Sequence, residues 1–162
     1  ALVVVYAFRD DFTAIAHRVA GEILPPGQVV ALGQDNEAGE RAVRIRRRGD
    51  GHFAARTDVD GTAISMLVDT GASSLVLRSA DAEAIGIDLR RLVFNVAVQT
   101  ANGTAYAAPV RLQAVSIGPI RMQGIEALVA QPGALKESLL GMSFLRRLRS
   151  YEFSGDFLTL RS

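Results

Sequence analysis

The stretch Leu67-Val68-Asp69-Thr70-Gly71-Ala72-Ser73 decides the fold of this chain, because an acidic side chain follows an apolar run directly. A carboxylate at the end of a buried strand costs free energy to ionise unless hydrogen-bond donors surround it. Gly71 lets backbone approach that carboxylate because it has no Cβ, and Ser73 can donate to the outer oxygen of Asp69. The alternative interpretation is a plain turn that begins at the aspartate.

A second segment, Leu139-Leu140-Gly141, is the expected companion of the aspartate turn. Two apolar residues and a glycine at about this distance build a loop that crosses behind such a turn and opens a short helix. The alternative is an ordinary strand-to-helix junction. Together the two segments predict an acidic site in which a loop supports the aspartate turn from behind.

Short apolar runs separated by turn signals predict an all-β domain from about residue 41 onward. Alternation at Val43 and Ile45 indicates the first strand. Pro109 indicates a sheet edge, since proline cannot donate to a ladder. The predicted strand pairs and their turns are residues 53–59 and 63–68 around Asp60-Gly61, the run through 94–98 and residues 106–112 around Asn102-Gly103, residues 115–117 and 120–122 around Gly118-Pro119, and residues 151–153 and 157–160 around Ser154-Gly155-Asp156, with residues 125–130 as a further run.

The N-terminal part has a helical pattern of apolar residues and not the strand pattern of the rest of the chain. Residues 8–23 carry one apolar stripe at helical spacing, and Pro25-Pro26-Gly27 ends that predicted helix. The apolar start, residues 1–8, is the end of a membrane helix or, alternatively, a buried strand or ordinary helix. The expected division is therefore an anchor end and amphipathic helix at 1–27, a linker and first strand at 28–48, and the main domain at 49–162.

Composition excludes several function classes. The formal net charge is +1, so no strong field attracts nucleic acid. The chain has no cysteine and only two histidines, which removes thiol chemistry, disulfides and histidine-rich metal sites. We therefore expect no metal, no cofactor and no nucleic-acid partner.

Several segments in this order resemble the retropepsin fold of the aspartic peptidases. More narrowly, they resemble a bacterial, membrane-anchored retropepsin-like family with one Asp-Thr-Gly in each chain. The match covers about residues 49–160, and ordered sets of motifs are more specific than single ones. The segments are Asp50-Gly51-His52-Phe53, residues 67–73, Thr100-Ala101-Asn102-Gly103 and Leu139-Leu140-Gly141-Met142-Ser143-Phe144-Leu145.

The resemblance implies a closed, barrel-like lobe with a flap hairpin and one short C-terminal helix. It implies that Asp69 is catalytic and that a second copy of the chain supplies the other carboxylate, across a twofold axis. Sharing one proton between two such carboxylates is the known behaviour of aspartic proteases. The implied supporting residues are Thr70, Gly71, Ala72 and Ser73 in the active-site loop, Thr100, Ala101, Asn102, Gly103 and Thr104 in the flap, and Leu139, Leu140 and Gly141 behind the site.

The resemblance also implies a polypeptide substrate and a bacterial inner-membrane anchor, single-pass or multi-pass, with the peptidase domain facing the periplasm. The run Arg44-Ile45-Arg46-Arg47-Arg48 then either contacts anionic lipid or simply forms a solvated strand face. A serine hydrolase is disfavoured because no G-x-S-x-G elbow occurs, and a phosphate-binding loop because no G-K-[ST] follows Gly71. The alternative from another class is a retropepsin-like dimerisation or peptide-binding module that does not cut.

Overall fold

A computed structural model describes residues 3–4, 29–32, 39–100 and 102–162, with side chains described within 39–100 and 102–162. Short strands dominate this part of the chain and confirm the predicted all-β domain. The elements in chain order are β1 (Val3–Val4), β2 (Val29–Leu32), β3 (Ala42–Arg46), β4 (Ala54–Val59), β5 (Thr62–Val68), β6 (Leu75–Leu77), α1 (Ser79–Ala84), a 3₁₀ helix (Leu89–Arg91), β7 (Val96–Thr100), β8 (Gly103–Ile117), β9 (Ile120–Ala130), β10 (Ser138–Leu140), α2 (Met142–Leu145), β11 (Ser150–Ser154) and β12 (Phe157–Arg161).

Six strands close into a barrel in the order β8-β4-β5-β10-β6-β9, because β9 pairs back onto β8. β4 with β5 and β8 with β9 are antiparallel, whereas β10 lies parallel to β5 and β6 lies parallel to β9. Closure removes open sheet edges and gathers the inward side chains into one core. The largest fully buried side chains include Met66, Leu75, Leu77, Leu112, Ile117, Ile125, Leu140, Phe144 and Leu145.

The predicted hairpin turns are confirmed, with one shift. Asp60 and Gly61 both have positive φ, 49° and 91°, as a type I′ turn requires. The turns that join β8 to β9 and β11 to β12 also fall where expected. In the flap hairpin Thr100 pairs with Gly103, so Gly103 belongs to strand β8 and not to the turn.

Strand lengths were underestimated. The two strands expected at 106–112 and 115–117 are one strand, β8, and the runs at 120–122 and 125–130 are one strand, β9. The polar Gln113 and the positive-φ Gly124 interrupt the apolar pattern, but the ladder continues on both sides of them. Pairing with a long neighbour therefore overrides the local interruption.

Pro109 sits where β8 has one partner. It pairs with Leu128 of β9 on one side. On the other side, pairing with β7 ends at Ala107 and pairing with β4 begins at Val115. The predicted edge position is right for this stretch, although β8 as a whole lies between other strands.

The expected single short helix is an undercount. The C-terminal helix is present as α2, but α1 follows β6 and a 3₁₀ helix follows α1. A six-residue helix spans less than two turns, so it shows no usable periodicity in the sequence.

A second sheet has the order β11-β12-β3-β2 and contains the predicted first strand, β3. Within the expected linker, Val29–Leu32 forms strand β2 on β3, which corrects that part of the interpretation. Arg47 donates to the carbonyls of Gly51 and Gly155, and Arg48 forms ion pairs within the chain, so these two arginines of the basic run are engaged internally.

At the N-terminal end, Val3–Val4 forms strand β1, parallel to β7. The predicted amphipathic helix and the rest of the expected linker up to residue 38 lie outside the described residues. In the part that the structure describes, no helix is long and apolar enough to cross a membrane.

Candidate active site

The Asp69 carboxylate lies at the end of β5, where two parallel strands meet. β10 runs beside β5 with Leu140 opposite Val68, and the Asp69 N–H donates to the Leu140 carbonyl (3.1 Å). The Gly71 N–H donates to Asp69 Oδ1 (2.8 Å). The aspartate is therefore held by its own backbone and by the turn that follows it.

Gly141 provides the close approach that this crossing needs. A Cβ at Gly141 would collide with the carbonyl oxygen of Ser74 and come within 2.7 Å of the Ala72 carbonyl oxygen. The next residue, Met142, donates its N–H to that same Ala72 carbonyl (2.7 Å) and begins α2. The predicted loop behind the aspartate turn is thus present, and Gly141 is its contact point.

Burial controls the charge of the site. It raises the pKa of the Asp69 carboxyl above its ordinary value, since removing a carboxylate from water disfavours its charged form. Hydrogen bonds from the Gly71 and Ala72 N–H groups and the nearby charge of His52 oppose that rise without cancelling it. Asp69 is therefore easier to protonate than an aspartate in open water.

Sequence reasoning did not assign His52 to this site. Ala54 pairs with Leu67, and the Val68 N–H donates to the Phe53 carbonyl (2.8 Å). Continuing that antiparallel register places His52 across from Asp69. The signal was present in the spacing of the Asp60-Gly61 hairpin, but it becomes readable only when the register is known.

Two predicted supporting residues lie on the surface of the turn. Thr70 and Ser73 are both exposed. Among the described residues, the Gly71 N–H donates to the Asp69 carboxylate, the Ala72 N–H donates to the Asp69 main-chain carbonyl (3.3 Å), and Ser73 makes no bond to either. The expected bond from Ser73 to Asp69 is not formed among the described residues and stays a prediction. Ala72 is fully buried.

A buried polar contact supports the base of the site from behind. The Ser138 hydroxyl donates to Asp81 Oδ2 (2.6 Å) and accepts from the Arg78 N–H (3.0 Å). This contact ties β10 to the start of α1. Ser143 joins α2 to β6 and β9. Its hydroxyl accepts from the Leu75 N–H and donates to the Glu126 carbonyl (both 2.8 Å). The sequence analysis did not assign this supporting role to either serine.

The predicted flap is the β7–β8 hairpin. Thr100 Oγ1 donates to the Gly103 carbonyl (2.8 Å) and accepts from the Asn102 N–H (3.2 Å). Gln99 donates to Thr104 Oγ1 (2.9 Å) across the hairpin. Ala101, also predicted for the flap, lies outside the described residues.

A small, partly open recess lies between the flap and β6, β9 and the segment before β10. Its lining is almost entirely apolar, so it suits an apolar side chain held in an extended segment. The lining residues are Val76, Val98, Thr100, Ala105, Tyr106, Ala107, Ala130, Ala134 and Leu135.

A closed barrel, a flap, and an aspartate turn braced by Leu-Leu-Gly together define a retropepsin-like aspartic peptidase fold. The family described as "gag-polyprotein putative aspartyl protease" matches residues 55–147. A crystal structure of a retropepsin-like aspartic protease from Rickettsia conorii is 38% identical, with a TM-score of 0.69 over 75% of this chain and 91% of that one. The chain belongs to this family of retropepsin-like aspartic proteases.

Further relatives agree with this assignment. An uncharacterised protein in a cobV 5′ region of Sinorhizobium sp. is 45% identical over 99% of this chain and 68% of its own length. An uncharacterised protein of Rickettsia prowazekii (strain Madrid E) is 38% identical over 96% of this chain and 63% of its own. The chain thus spans about two thirds of these relatives. The EIAV protease, in complex with the inhibitor HBY-793, shares the fold at 17% identity and a TM-score of 0.52.

Proposed function

We propose that this chain is an aspartic endopeptidase that acts as a homodimer. The observation that carries the proposal is the Asp69 carboxyl, whose pKa burial raises while the Gly71 and Ala72 N–H groups still hold its ionised form. The chain has one Asp-Thr-Gly segment. A second copy is needed to place another carboxylate beside the first.

In the proposed reaction, the two Asp69 carboxyls share one proton because like charges that close cannot both ionise. The ionised carboxylate takes a proton from a water molecule, and the protonated one donates to the scissile carbonyl oxygen. Water adds to give a tetrahedral diol, which collapses when the nitrogen is protonated and the C–N bond breaks. Thr70, exposed on its turn, would contact its counterpart across the twofold axis.

Substrate binding in this proposal uses the recess beneath the flap. The apolar lining at Val76, Val98 and Leu135 accommodates an apolar side chain of an extended polypeptide. The flap closes over the segment and excludes water from the reacting bond.

Cleavage of an unfolded protein at acidic pH tests the proposal, with Asp69→Asn as the inactive variant. Wild type should cut, and its activity should rise faster than linearly with enzyme concentration while monomers and dimers interconvert. Asp69→Asn should lose cleavage and keep its fold. If neither protein cuts and both bind peptide equally, the chain is the non-catalytic peptide-binding module instead.

We also propose that the chain is anchored in the bacterial inner membrane with its peptidase domain in the periplasm. The apolar start of the sequence and the resemblance to a membrane-anchored family support this, whereas the pairing of Val3–Val4 with β7 supports the alternative of a buried strand. Cell fractionation and protease digestion of spheroplasts, following the C-terminal end of the chain, test it. Recovery in the soluble cytoplasmic fraction would contradict the proposal.

A further inference from the structure

The turn at residues 48–52 lies just before β4, the strand that pairs with the aspartate-bearing β5. Two backbone hydrogen bonds close it. The Gly51 N–H donates to the Arg48 carbonyl (3.0 Å), and the Arg48 N–H donates to the His52 carbonyl (2.7 Å). Gly51 has a φ of 86°, which glycine adopts at no steric cost. The turn therefore has a defined shape, and the position of His52 depends on it.

The Arg48 side chain bridges two carboxylates from distant parts of the chain. Its Nε and Nη2 donate to Asp50 Oδ1 (3.2 Å) and Oδ2 (2.7 Å). Its Nη1 and Nη2 also donate to Glu137 Oε1 (2.6 Å) and Oε2 (3.2 Å). Asp50 Oδ1 accepts in addition from the His52 N–H (3.1 Å). Because bidentate pairs fix geometry as well as charge, Arg48 joins the turn firmly to the segment before β10.

The two segments that this bridge joins both meet β5 close to the aspartate. β5 lies between β4 and β10 in the barrel. Ala54, the first residue of β4, is opposite Leu67, and Ser138, the first residue of β10, is opposite Met66. Both pairs lie within three residues of Asp69 along the chain. The bridge therefore connects the two neighbours of β5 near the point where the carboxyl leaves the strand.

The charge of His52 acts on the Asp69 carboxyl. The β4–β5 register, continued by two residues, places His52 across from Asp69. Burial raises the pKa of Asp69, and the charge of His52 acts in the opposite direction. Arg48 and the His52 N–H lower the pKa of Asp50, so the bridge keeps its charge in acid, where an imidazole becomes positive. In the described part of the chain, the charged groups that bind this turn or face it are Arg47, Arg48, Asp50, Glu137 and Asp69.

We propose that Arg48 is a positioning residue of the site and acts on Asp69 through His52. By holding Asp50 and Glu137 together, the guanidinium fixes the turn and keeps the imidazole across from the aspartate. The inference rests on the proposed peptidase and gives the segment before β4 a part in it. Loss of either Arg48 or His52 then makes the Asp69 carboxyl easier to protonate.

Carbon NMR titration of the labelled Asp69 carboxyl measures this effect without any cleavage assay. His52→Gln should raise the Asp69 pKa by about 0.5 pH unit, the size expected of one solvent-screened charge at short range. Arg48→Gln should shift it in the same direction, because the imidazole is no longer held in place. Added salt should raise the Asp69 pKa of wild type as well, and much less that of His52→Gln, since salt screens the same charge.

A double-mutant cycle separates positioning from a general structural effect. Arg48→Gln should shift the Asp69 pKa in the wild-type background and leave it unchanged in the His52→Gln background. Arg48→Lys should not restore the wild-type value, because an ammonium group cannot form two bidentate pairs. Arg90→Gln is the matched control. Arg90 also forms a bidentate pair with an aspartate two residues away, Asp88, but on the exposed 3₁₀ helix, so its loss should leave the Asp69 pKa unchanged.

Glu137→Gln is the milder variant, because the Glu137 side chain is 41% exposed whereas that of Arg48 is 25% exposed. It removes the outer half of the bridge and should raise the Asp69 pKa in the same direction as Arg48→Gln. If Arg48→Gln does not fold, Glu137→Gln takes its place in the cycle with His52→Gln.

Cleavage gives the second readout. The acid limb of the pH profile of kcat/KM should move to higher pH in His52→Gln and Arg48→Gln, by about the same amount as the titration. If wild type cuts and neither variant moves the Asp69 pKa, the positioning role is wrong and the peptidase stands. If the pKa rises as expected and wild type cleaves no polypeptide, the coupling to Asp69 stands and the peptidase fails. Equal shifts from Arg48→Gln with and without His52 would overturn the action through His52.

Discussion

The base of the active site and the flap are held in different ways. The base, residues 66–73 with 138–142, belongs to the barrel, and backbone bonds join Asp69 to Leu140 and Met142 to Ala72. The flap, residues 96–104, is held at its tip by bonds between near neighbours, on exposed groups. Segments with few buried contacts open at low free-energy cost. The Asp69 carboxylate is thus placed by the barrel, whereas the tip of the flap is held by local bonds beyond the paired part of β7.

The largest difference between the base and the flap is expected when a glycine in each is replaced by alanine and the stability of the two variants is compared. Gly141→Ala places a methyl group against the carbonyl oxygens of Ser74 and Ala72. We expect a loss of roughly 3–5 kcal/mol in the free energy of unfolding, measured in urea.

Gly103→Ala in the flap is the matched control. A Cβ there meets no atom within 4 Å, and only the positive φ of 108° opposes it, at a cost of about 1 kcal/mol. Equal losses in the two variants would show that the base is no more tightly packed than the flap.

A smaller effect is expected where the base is supported from behind. Ser138→Ala removes a buried hydroxyl that satisfies both Asp81 and the Arg78 N–H. The expected loss is about 1–3 kcal/mol in urea unfolding, since buried polar groups lose their partner. Ser65→Ala, at an exposed position of β5, should change stability by less than about 0.5 kcal/mol. No difference between the two would refute the supporting role of Ser138.

The pH dependence of stability tests whether the pKa of Asp69 is raised at the base of the site. Burial raises the pKa of Asp69 in the folded state above its unfolded value. The stability that this adds is present below the unfolded pKa and is lost as pH rises through the folded pKa. Asp69→Asn removes this titration, so the thermal midpoint of the variant should rise relative to that of wild type as the pH increases above the ordinary pKa of aspartate. A difference that stays constant as the pH increases would contradict the raised pKa.

The smallest effect on stability is expected in the flap. Thr100→Val deletes the two hydrogen bonds that Thr100 makes with Gly103 and Asn102 at the hairpin tip. Both lie on exposed groups, so unfolding should shift by less than about 1 kcal/mol. Peptide cleavage should fall through a higher KM. A large loss of stability without any change in KM would show that Thr100 stabilises the fold and does not act in substrate binding, which contradicts the prediction.

Several turns and strands of this protein could be predicted from the properties of residues that are neighbours in the sequence. Asp60-Gly61 predicts a type I′ hairpin because both residues tolerate positive φ, and the apolar run before Asp69 predicts a strand because alternate side chains are buried. These features depend on neighbours along the chain.

Other features depend on groups far apart in sequence, so they appear only in the folded structure. Strand β8 continues through Gln113 because β9 pairs with it on both sides of that residue. The Ser138–Asp81 contact joins positions that are 57 residues apart. The β4–β5 register places His52 across from Asp69. The amino-acid sequence therefore determined the turns, the strand pattern and the acidic residue, whereas tertiary packing decided strand length, register and the environment that raises the Asp69 pKa, because burial and long-range pairing exist only after the chain closes on itself.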